Sequence, residues 1–260
     1  MAHVLVTGSA GAIGVPVCRE LLARGHRVRA LDRVPTPSSP PDSDGGANIE
    51  SIVVEIEDRA GMRAAMRGID AVVHLAAEPN DADFAVLEGP NVRGLFHVLD
   101  GARQEGVRRV VLASSIQVLG KWWDRSRERP AGTDVASPSN HYALTKVWAE
   151  HAGEMYARCY GLSVIAARVA FMVRNPAEAK RLMQKELFDV YLSRGDVARF
   201  FAHAVEAKDV EFAVLYAVGR GGERLLDMEP ARRLIGFEAR DRWPEGLGFE
   251  VPDLSEERAP

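Results

Sequence analysis

The sequence predicts an α/β protein in which a doubly wound, parallel sheet is covered by helices on both faces. Three observations predict this class: a glycine-rich break after an apolar N-terminal run, an alternation of short β-rich runs with longer helical patterns, and a hydrophobic content of 47% over 260 residues. Parallel strands are buried on both faces and therefore read as near-continuous apolar runs. A chain of this length can bury a full core as one large domain with a small appendage.

The first element is the stretch HVLVTGSAGAIG, residues 3–14. Residues 3–6 predict a buried strand, and the apolar residues after the break recur at helical spacing. Gly8, Gly11 and Gly14 lie where a side chain would block a tight turn, the approach of a ligand or helix–strand packing. Unpaired N–H groups and the positive end of the helix dipole would favour an anion such as a pyrophosphate. A tight turn without a ligand is the alternative until other motifs support the first interpretation.

The second element, HRVRALDR, predicts a strand that ends at Asp32, about twenty residues after the glycines. A carboxylate there can accept hydrogen bonds from the adenosine ribose of a dinucleotide, and it would repel the 2′-phosphate of NADP. Arg33 is the counter-argument, because a guanidinium could pair with that phosphate, but a solvated charge explains it as well. The sequence therefore predicts NAD as the cofactor.

Later elements continue the alternation, with strands predicted at SIVVEI, AVVHLA, RVVLASS and SVIAARV. The stretch VPTPSSPPDSDGGAN predicts a surface loop before the first of these. Beyond them come helices near 176–189 and 195–207, a strand FAVLYAVG, a short helix EPARRLIGF and a polar tail. We expect residues 1–170 to form a Rossmann-type, NAD-binding domain that carries the catalytic residues. Residues 171–260 would form a small substrate-binding region or lid rather than an independent domain.

Composition excludes several classes of function. The formal net charge is −4 and no basic cluster stands out, so nucleic acid is not an expected partner. No apolar stretch has the length of a membrane span and the N-terminus leads directly into a strand, which predicts a cytoplasmic protein without a membrane partner. The histidines lack metal-ligand spacing, so no metal is expected. Cys18 and Cys159 fall in predicted helices and are expected to be buried rather than disulfide-bonded.

The chemistry is predicted at the end of the strand RVVLASS and in a helix that follows it. Ser114 and Ser115 would emerge at the carboxyl edge of the sheet, where open α/β sheets bind ligands. Tyr142 and Lys146 are four residues apart and share a helix face. A tyrosine with a pKa of about 10 is a poor base at neutral pH, and a nearby ammonium would stabilise its phenolate. Such a phenolate could take a proton from a substrate hydroxyl oriented by Ser115, while hydride passes to the nicotinamide.

The motifs TGSAGAIG, LDR, HLAA, NVRGLFHVL, ASSIQVLG and YALTK, in this order over about residues 3–170, resemble the extended short-chain dehydrogenases/reductases. Within them the chain is similar to the NAD-dependent epimerase/dehydratase branch. The resemblance implies Ser115, Tyr142 and Lys146 as the catalytic set, with Lys146 also holding the nicotinamide ribose. It places Glu55 and Ile56 near the adenine, where the family usually has Asp-Leu. The residues then expected at the cofactor are Gly8, Ser9, Gly11, Ala12, Ile13, Gly14, Asp32, Arg33, Glu55, Ile56, Leu75, Ala76, Ala77, Asn91, Ser114, Tyr142 and Lys146.

Within that branch the chain most resembles the uronate dehydrogenases, which oxidise the anomeric carbon of a hexuronate with NAD. Ile116 and Gln117 stand where those enzymes usually have Asn-His, and Phe171 stands where they have a small polar residue. These departures predict a pocket less polar than a uronate site. The nearest match for an arginine that pairs with the uronate carboxylate is Arg181, with Arg174 as the alternative; a solvated helix charge is the other interpretation of Arg181.

Three functions are therefore weighed. The first is an NAD-dependent dehydrogenase of a uronate, an aldose or a related small alcohol. The second is a nucleotide-sugar epimerase or dehydratase with tightly bound NAD, which usually has a larger C-terminal region. The third is a non-catalytic NAD-binding protein. The resemblance also implies a homodimer, in which the helix of Tyr142 and the helix near Asn91 pack against their symmetry mates. Trp122 and Trp123 could form an aromatic wall against the substrate or simply pack a loop.

Overall fold

The computed structural model of the protein describes residues 1–36, 49–122, 130–185 and 187–252, and it confirms the predicted α/β class. In these ranges the strands are β1 His3–Thr7, β2 Arg27–Asp32, β3 Ile49–Val53, β4 Ala71–His74, β5 Arg109–Ser115, β6 Ser163–Val169, β7 Phe171–Met172, β8 Tyr191–Leu192 and β9 Phe212–Ala217. The main sheet has the order β3-β2-β1-β4-β5-β6-β9 with parallel neighbours, and β7 pairs with β8. The chain reverses its progression between β1 and β4, which is the switch point where sheets of this kind bind ligands.

Helices connect these strands. Those of the described residues are α1 Gly14–Ala23, α2 Arg59–Ala65, α3 Phe84–Leu87, α4 Leu95–Gln104, α5 His141–Tyr160, α6 Pro176–Gln184, α7 Arg194–Glu206 and α8 Glu229–Ile235. A wide, π-type turn over Glu88–Gly94 joins α3 to α4, and short 3₁₀ turns span Ile116–Trp122, Phe188–Val190 and Gly222–Arg224.

The two faces of the sheet bury separate halves of the core. On β1, Val4 and Val6 face one side, where they join the cores of α1 and α7. Leu5 faces the other side, where it joins the buried residues of α2, α4 and α5. This alternation follows from the period of two along a strand. The helices on both faces leave the carboxyl edge of the sheet as the place for a site.

Most predicted boundaries agree with the structure, and β5 and β6 coincide with the predicted runs RVVLASS and SVIAARV. The run SIVVEI was placed two residues too late. The strand β3 keeps register with β2 from Val28 opposite Ile49 to Asp32 opposite Val53, so it ends where β2 ends. The helix predicted over 176–189 ends at Gln184, because the chain turns there and Leu187 N donates to Leu182 O at 3.0 Å.

The C-terminal part of the chain is built into the main sheet. Strand β9 pairs with β6 over six residues, from Val164 opposite Phe212 to Val169 opposite Ala217. Helix α7 packs against α1 on one face, and both contribute to the same core. The division at residue 170 into a cofactor domain and a substrate-binding region stays a prediction.

The remaining predictions concern the loop after β2, the tryptophans, the cysteines, membrane spans and metal sites. Most of the predicted loop between β2 and β3, the side chain of Trp122, Trp123 and residues 253–260 lie outside the described residues. Cys18 is buried as expected, whereas Cys159 is exposed because it lies on the outer face of α5. Among the described helices none combines the length and apolar character that a bilayer crossing requires. The described residues also contain no group of three His, Cys, Asp or Glu placed to hold a metal. A cytoplasmic location stays a prediction.

Candidate active site

The glycine turn between β1 and α1 is most crowded at Gly8 and Gly14 and less crowded at Gly11. Gly8 has φ +70°, and a Cβ on it would lie 2.7 Å from Ala76 N. A Cβ on Gly14 would lie 2.1 Å from the carbonyl oxygen of Gly8. On Gly11 the nearest contact would be 3.1 Å, and this residue is exposed. Gly8 and Gly14 are thus required by packing, whereas Gly11 keeps the mouth of the turn open to an approaching group.

The start of α1 suits an anion. Ile13 occupies its N-cap, and no side chain of the described residues caps the helix there. In this helix Val15 N already donates to Gly11 O at 3.1 Å and Pro16 has no N–H, so the attraction for an anion comes from the positive end of the helix dipole and the N–H groups that precede Val15. Ala12 is exposed beside them, and Ser9 is buried with its hydroxyl 2.5 Å from Thr36 Oγ1. These residues fit the pyrophosphate of a dinucleotide.

Asp32 lies at the carboxyl end of β2, beside the glycine turn. Its Oδ2 accepts a hydrogen bond from Ala10 N at 3.0 Å, and its Oδ1 accepts one from Val34 N at 3.3 Å. The carboxylate is half-buried, whereas Arg33 is exposed. The position and the acceptor oxygens of Asp32 match those expected for a group that binds the adenosine ribose.

The turn after β4 is tied to β1 through a threonine and a histidine. Thr7 Oγ1 accepts from Leu75 N at 3.2 Å and from Ala76 N at 3.3 Å, so its own proton is available to His74 Nδ1 at 2.9 Å. Burial, and then the charge of Lys146, lower the pKa of His74 to about 3. His74 is therefore neutral, with its proton on Nε2. It was missed as an individual residue in the sequence, although it stands in the HLAA motif. Leu75, Ala76 and Ala77 are half-buried beside it.

Glu55 and Ile56 follow β3 and have different surroundings. Glu55 is exposed. Ile56 is buried among α2 and α4, and a Cβ on Gly94 would lie 2.8 Å from its Cγ1. The backbone oxygen of Ile56 lies 3.3 Å from His97 Nδ1. A side-chain contact with the adenine is therefore open to Glu55 but not to the packed side chain of Ile56.

Asn91 is buried in the π-type turn and holds the loop after β4 against α5. Its Oδ1 accepts from Glu78 N at 2.8 Å, while its Nδ2 donates to Glu78 O at 3.1 Å and to Thr145 Oγ1 at 3.2 Å. Both amide protons of Asn91 are thus used within the protein. Asn91 was predicted to contact the cofactor, but the hydrogen bonds that its side chain makes in this structure are all to other residues of the chain.

Ser115, Tyr142 and Lys146 come together at the carboxyl edge of the sheet, and each is less than a tenth exposed. Ser115 Oγ accepts from Gln117 N at 3.2 Å, and the Ser115 hydroxyl is close enough to the phenol to oppose the rise in the pKa of Tyr142. Lys146 Nζ lies 5.4 Å from the centre of the Tyr142 ring and donates to Ala113 O at 3.0 Å. Asn140 begins this helix, because its side chain accepts from Ala143 N at 2.7 Å.

The predicted direction of the tyrosine pKa is wrong for this structure. Burial raises the pKa of Tyr142 to about 12, Ser115 opposes it through its hydrogen bond, and the charge of Glu78 raises it further. Burial also lowers the pKa of Lys146 to about 8. The low-dielectric surroundings therefore outweigh the expected stabilisation of the phenolate by the ammonium.

Ser114 belongs to a buried network that sequence reasoning missed. Its hydroxyl donates to Glu150 Oε1 at 2.6 Å. Arg168 donates to both oxygens of the same carboxylate, each at 2.8 Å, and also to Val135 O and the Tyr216 hydroxyl. The only sequence signal is the place of Glu150, four residues after Lys146 on the same helix. The hydroxyl of Ser114 is thus committed to the protein.

The predicted substrate residues fall in different surroundings. Ile116 is buried, and Gln117 is exposed with its Oε1 accepting from Asn140 Nδ2 at 3.1 Å. Phe171 is half-buried at the start of β7, in register with Tyr191 of β8. Arg181 is exposed on α6. Arg174, the alternative to Arg181, is bound to Glu178, with Nε to Oε1 at 2.8 Å.

Comparison with known proteins identifies related sequences over almost the whole chain. The model of the NAD dependent epimerase/dehydratase family matches residues 4–181. A uronate dehydrogenase of Pseudomonas putida is 28% identical over 239 residues, which are 92% of this chain and 84% of that protein. An L-arabinose 1-dehydrogenase (NAD(P)(+)) of Haloferax volcanii is 29% identical over 259 residues, covering 93% of this chain and 97% of that protein.

A solved structure shares the fold. The crystal structure of a glucuronic acid dehydrogenase from Chromohalobacter salexigens has a TM-score of 0.80 with 22% sequence identity. The superposition covers 98% of this chain and 92% of that one. At this identity the likeness establishes the architecture of the chain.

Proposed function

The chain belongs to the NAD dependent epimerase/dehydratase family, and on this premise we propose that it oxidises a hydroxyl group of a sugar, with Tyr142 as the base. Membership confirms the resemblance to the extended short-chain dehydrogenases/reductases, and with it NAD as the cofactor of an NAD-dependent enzyme of this type. The observation that carries the proposal is the convergence of Ser115, Tyr142 and Lys146 at the carboxyl edge of the sheet. Two relatives that span over nine-tenths of this chain are named as sugar dehydrogenases.

The residues of the glycine turn would hold the dinucleotide. The open mouth at Gly11 and the uncapped start of α1 suit its pyrophosphate, and the oxygens of Asp32 suit its adenosine ribose. NAD, when bound, supplies a nicotinamide that accepts a hydride. Lys146 Nζ donates to Ala113 O, and the resemblance to the family implies that the same amine also holds a hydroxyl of the nicotinamide ribose.

Ser115 and Tyr142 would bind the substrate hydroxyl and accept its proton. Ser115 and Tyr142 are neighbours at the carboxyl edge of the sheet, so a substrate hydroxyl that reaches both would be oriented by the first and deprotonated by the second. Because the pKa of Tyr142 is about 12, the base is mostly protonated at neutral pH. The rate of oxidation is therefore expected to rise as the pH is raised.

The experiment is a panel of aldoses, uronates and secondary alcohols with NAD or NADP, followed by the absorbance of the reduced cofactor. We expect net formation of NADH with at least one sugar, and a slower or absent reaction with NADP. An epimerase or dehydratase reoxidises its cofactor within one turnover, so substrate conversion without accumulation of NADH would contradict the proposal. Absence of any turnover would contradict it as well.

We also propose that the protein is a homodimer joined through α4 and α5. Phe96 on α4 is exposed over 43% of its surface, and Leu144 and Trp148 on α5 are exposed over 52% and 37%. Leu144 and Trp148 are four residues apart, so they form one apolar stripe on the helix. A symmetric helix pair would cover them. Sedimentation at micromolar concentration should give a dimer, and Trp148→Glu should give a monomer; a monomeric wild type would contradict the proposal.

A further inference from the structure

The loop after β4 brings negative charge to the catalytic helix. Glu78 is clamped by the two-way hydrogen bonds between its peptide groups and the buried amide of Asn91. Asp81, in the same loop, accepts from Tyr142 N at 3.2 Å through its Oδ1. Asn91 itself donates to Thr145, one turn along α5 from Tyr142. The loop is thus fixed against the beginning of α5 at several points, with two carboxylates beside the tyrosine.

The negative charge of Glu78 helps to raise the pKa of the Tyr142 phenol. Glu78 is half-buried, and its Oε1 accepts from Asn80 N at 3.3 Å and from Asn80 Nδ2 at 3.2 Å, which are neutral donors. Its charge therefore remains uncompensated by these contacts, and it is one of the groups that raise the pKa of Tyr142. A substrate carboxylate brought to the reacting hydroxyl would meet this charge.

Arg174, the alternative candidate for binding a uronate carboxylate, is already bound to the carboxylate of Glu178. Glu178 accepts from Arg174 N and Arg174 Nε, both at 2.8 Å, and from Arg174 Nη2. Its own backbone N donates to Asn175 Oδ1 at 3.0 Å, which fixes it in the first turn of α6. Arg194 is directed at the carbonyl oxygen of Arg174, at 3.4 Å.

Glu178 also lies within the field of Arg181. Burial alone would raise the pKa of Glu178, but the hydrogen bonds from Arg174 and the charges of Arg174 and Arg181 lower it. Glu178 is therefore ionised at neutral pH and offsets the positive charge that these two arginines would offer to a ligand.

We propose that the site selects uncharged aldoses over the corresponding uronates, with Glu78 disfavouring a second carboxylate near Tyr142 and Glu178 engaging Arg174, the arginine to which it is bound, and offsetting the charge of the nearby Arg181. This inference rests on the proposed function, since it concerns the substrate of the same site. The half-buried ring of Phe171 is consistent with it, because it presents apolar surface where the resemblance to the uronate dehydrogenases implies a small polar residue; Ile116 is packed into the core. Lys146 is a cation near Tyr142, but its amine is buried and donates to the backbone.

The experiment compares kcat/KM with saturating NAD for D-glucose and D-glucuronate, and for D-galactose and D-galacturonate. The members of each pair differ only at C6, so their ratio isolates the effect of the carboxylate. We expect the neutral sugar to be preferred by about tenfold or more at low ionic strength, and less at high salt. Glu178→Gln and Glu78→Gln should each shift the ratio toward the uronate by roughly fivefold, the scale of one partly screened charge interaction.

The matched control is Glu154→Gln, which removes an exposed carboxylate from the outer face of α5 and should leave the ratio unchanged. A wild type that turns over uronates as well as or better than neutral sugars would overturn the inference while leaving the proposed function intact. A preference for neutral sugars that neither variant shifts would overturn the roles of Glu78 and Glu178. No turnover with any of the four sugars or the wider panel would contradict the proposed function itself.

Discussion

Lys146 Nζ lies 5.4 Å from the centre of the Tyr142 ring and donates a hydrogen bond to the carbonyl oxygen of Ala113 at 3.0 Å. The amine is thus anchored to the end of β5, next to Ser115, rather than to the phenol. Burial lowers the pKa of Lys146 to about 8 and raises that of Tyr142 to about 12. The charge on the amine is therefore sensitive to pH in the range where an oxidation would be measured.

Replacing Lys146 tests whether this charge assists the base. Lys146→Met should reduce kcat/KM by about 10² or more, because the amine expected to hold the nicotinamide ribose is lost, and should remove any change in activity near pH 8, where this amine loses its proton. Lys146→Arg keeps the charge and should retain more activity than Lys146→Met. A profile of Lys146→Met that coincides with the wild type after scaling would contradict the role.

His74 predicts a pH dependence of stability. Its pKa is about 3 in the folded protein against 6.5 for the free side chain, so the unfolded state binds more protons between these values. The free energy of unfolding should therefore fall as the pH drops from 6.5 toward 3, by up to ~1.4 kcal/mol per pH unit from this group.

The check is urea unfolding at several pH values for the wild type and His74→Asn. Carboxylates contribute their own acid slope to both proteins, so the difference between the two isolates the histidine. The variant should be less stable at pH 7, where the Thr7 contact is lost, but its slope below pH 6.5 should be shallower. Parallel slopes would show that His74 titrates normally.

The Glu150–Arg168 pair predicts a large effect on stability. Both side chains are almost fully buried, and Glu150→Gln would leave the Arg168 guanidinium without its counter-charge. We expect a loss of about 3–5 kcal/mol in the free energy of unfolding. The surface pair of Arg63, which is about half exposed, and Glu105 is the control, since Arg63→Ala should cost less than ~1 kcal/mol. Equal losses would contradict the assignment of the buried network.

Two glycines of the turn are expected to have different roles: Gly14 is needed for stability, whereas Gly11 is needed for NAD binding. Gly14→Ala would place a Cβ 2.1 Å from Gly8 O and should lower Tm by several degrees. Gly11→Ala meets its nearest atom at 3.1 Å and should keep a Tm near that of the wild type, while NAD binding, measured by calorimetry, weakens by about tenfold or more. Unchanged NAD affinity in Gly11→Ala would show that nothing approaches this part of the turn.

The sequence predicts the strand pattern well because parallel strands buried on both faces leave strong local signals. β5 and β6 are such strands, and their bounds were predicted correctly. The end of β3 is set by its register with β2, and the end of α6 by a turn onto Leu182, and neither is a local property.

The site was predicted as a set of residues, but its electrostatics were not. The spacing of Tyr142 and Lys146 identifies neighbours on a helix, whereas their pKa values depend on burial, which only the packed structure defines. The contacts of Arg168 with Glu150, and of Asn91 with Glu78, join segments that are far apart in the chain or that lack a recurrent motif. Contacts of this kind depend on the packing of the folded chain and are identified only in the structure.

The most direct test of the central claim is the rate of NADH formation by Tyr142→Phe with the best sugar of the panel. The substitution removes only the phenol oxygen, so NAD affinity and Tm should stay close to those of the wild type while kcat falls by about 10² or more. A Tyr142→Phe enzyme that forms NADH at the rate of the wild type would contradict the account.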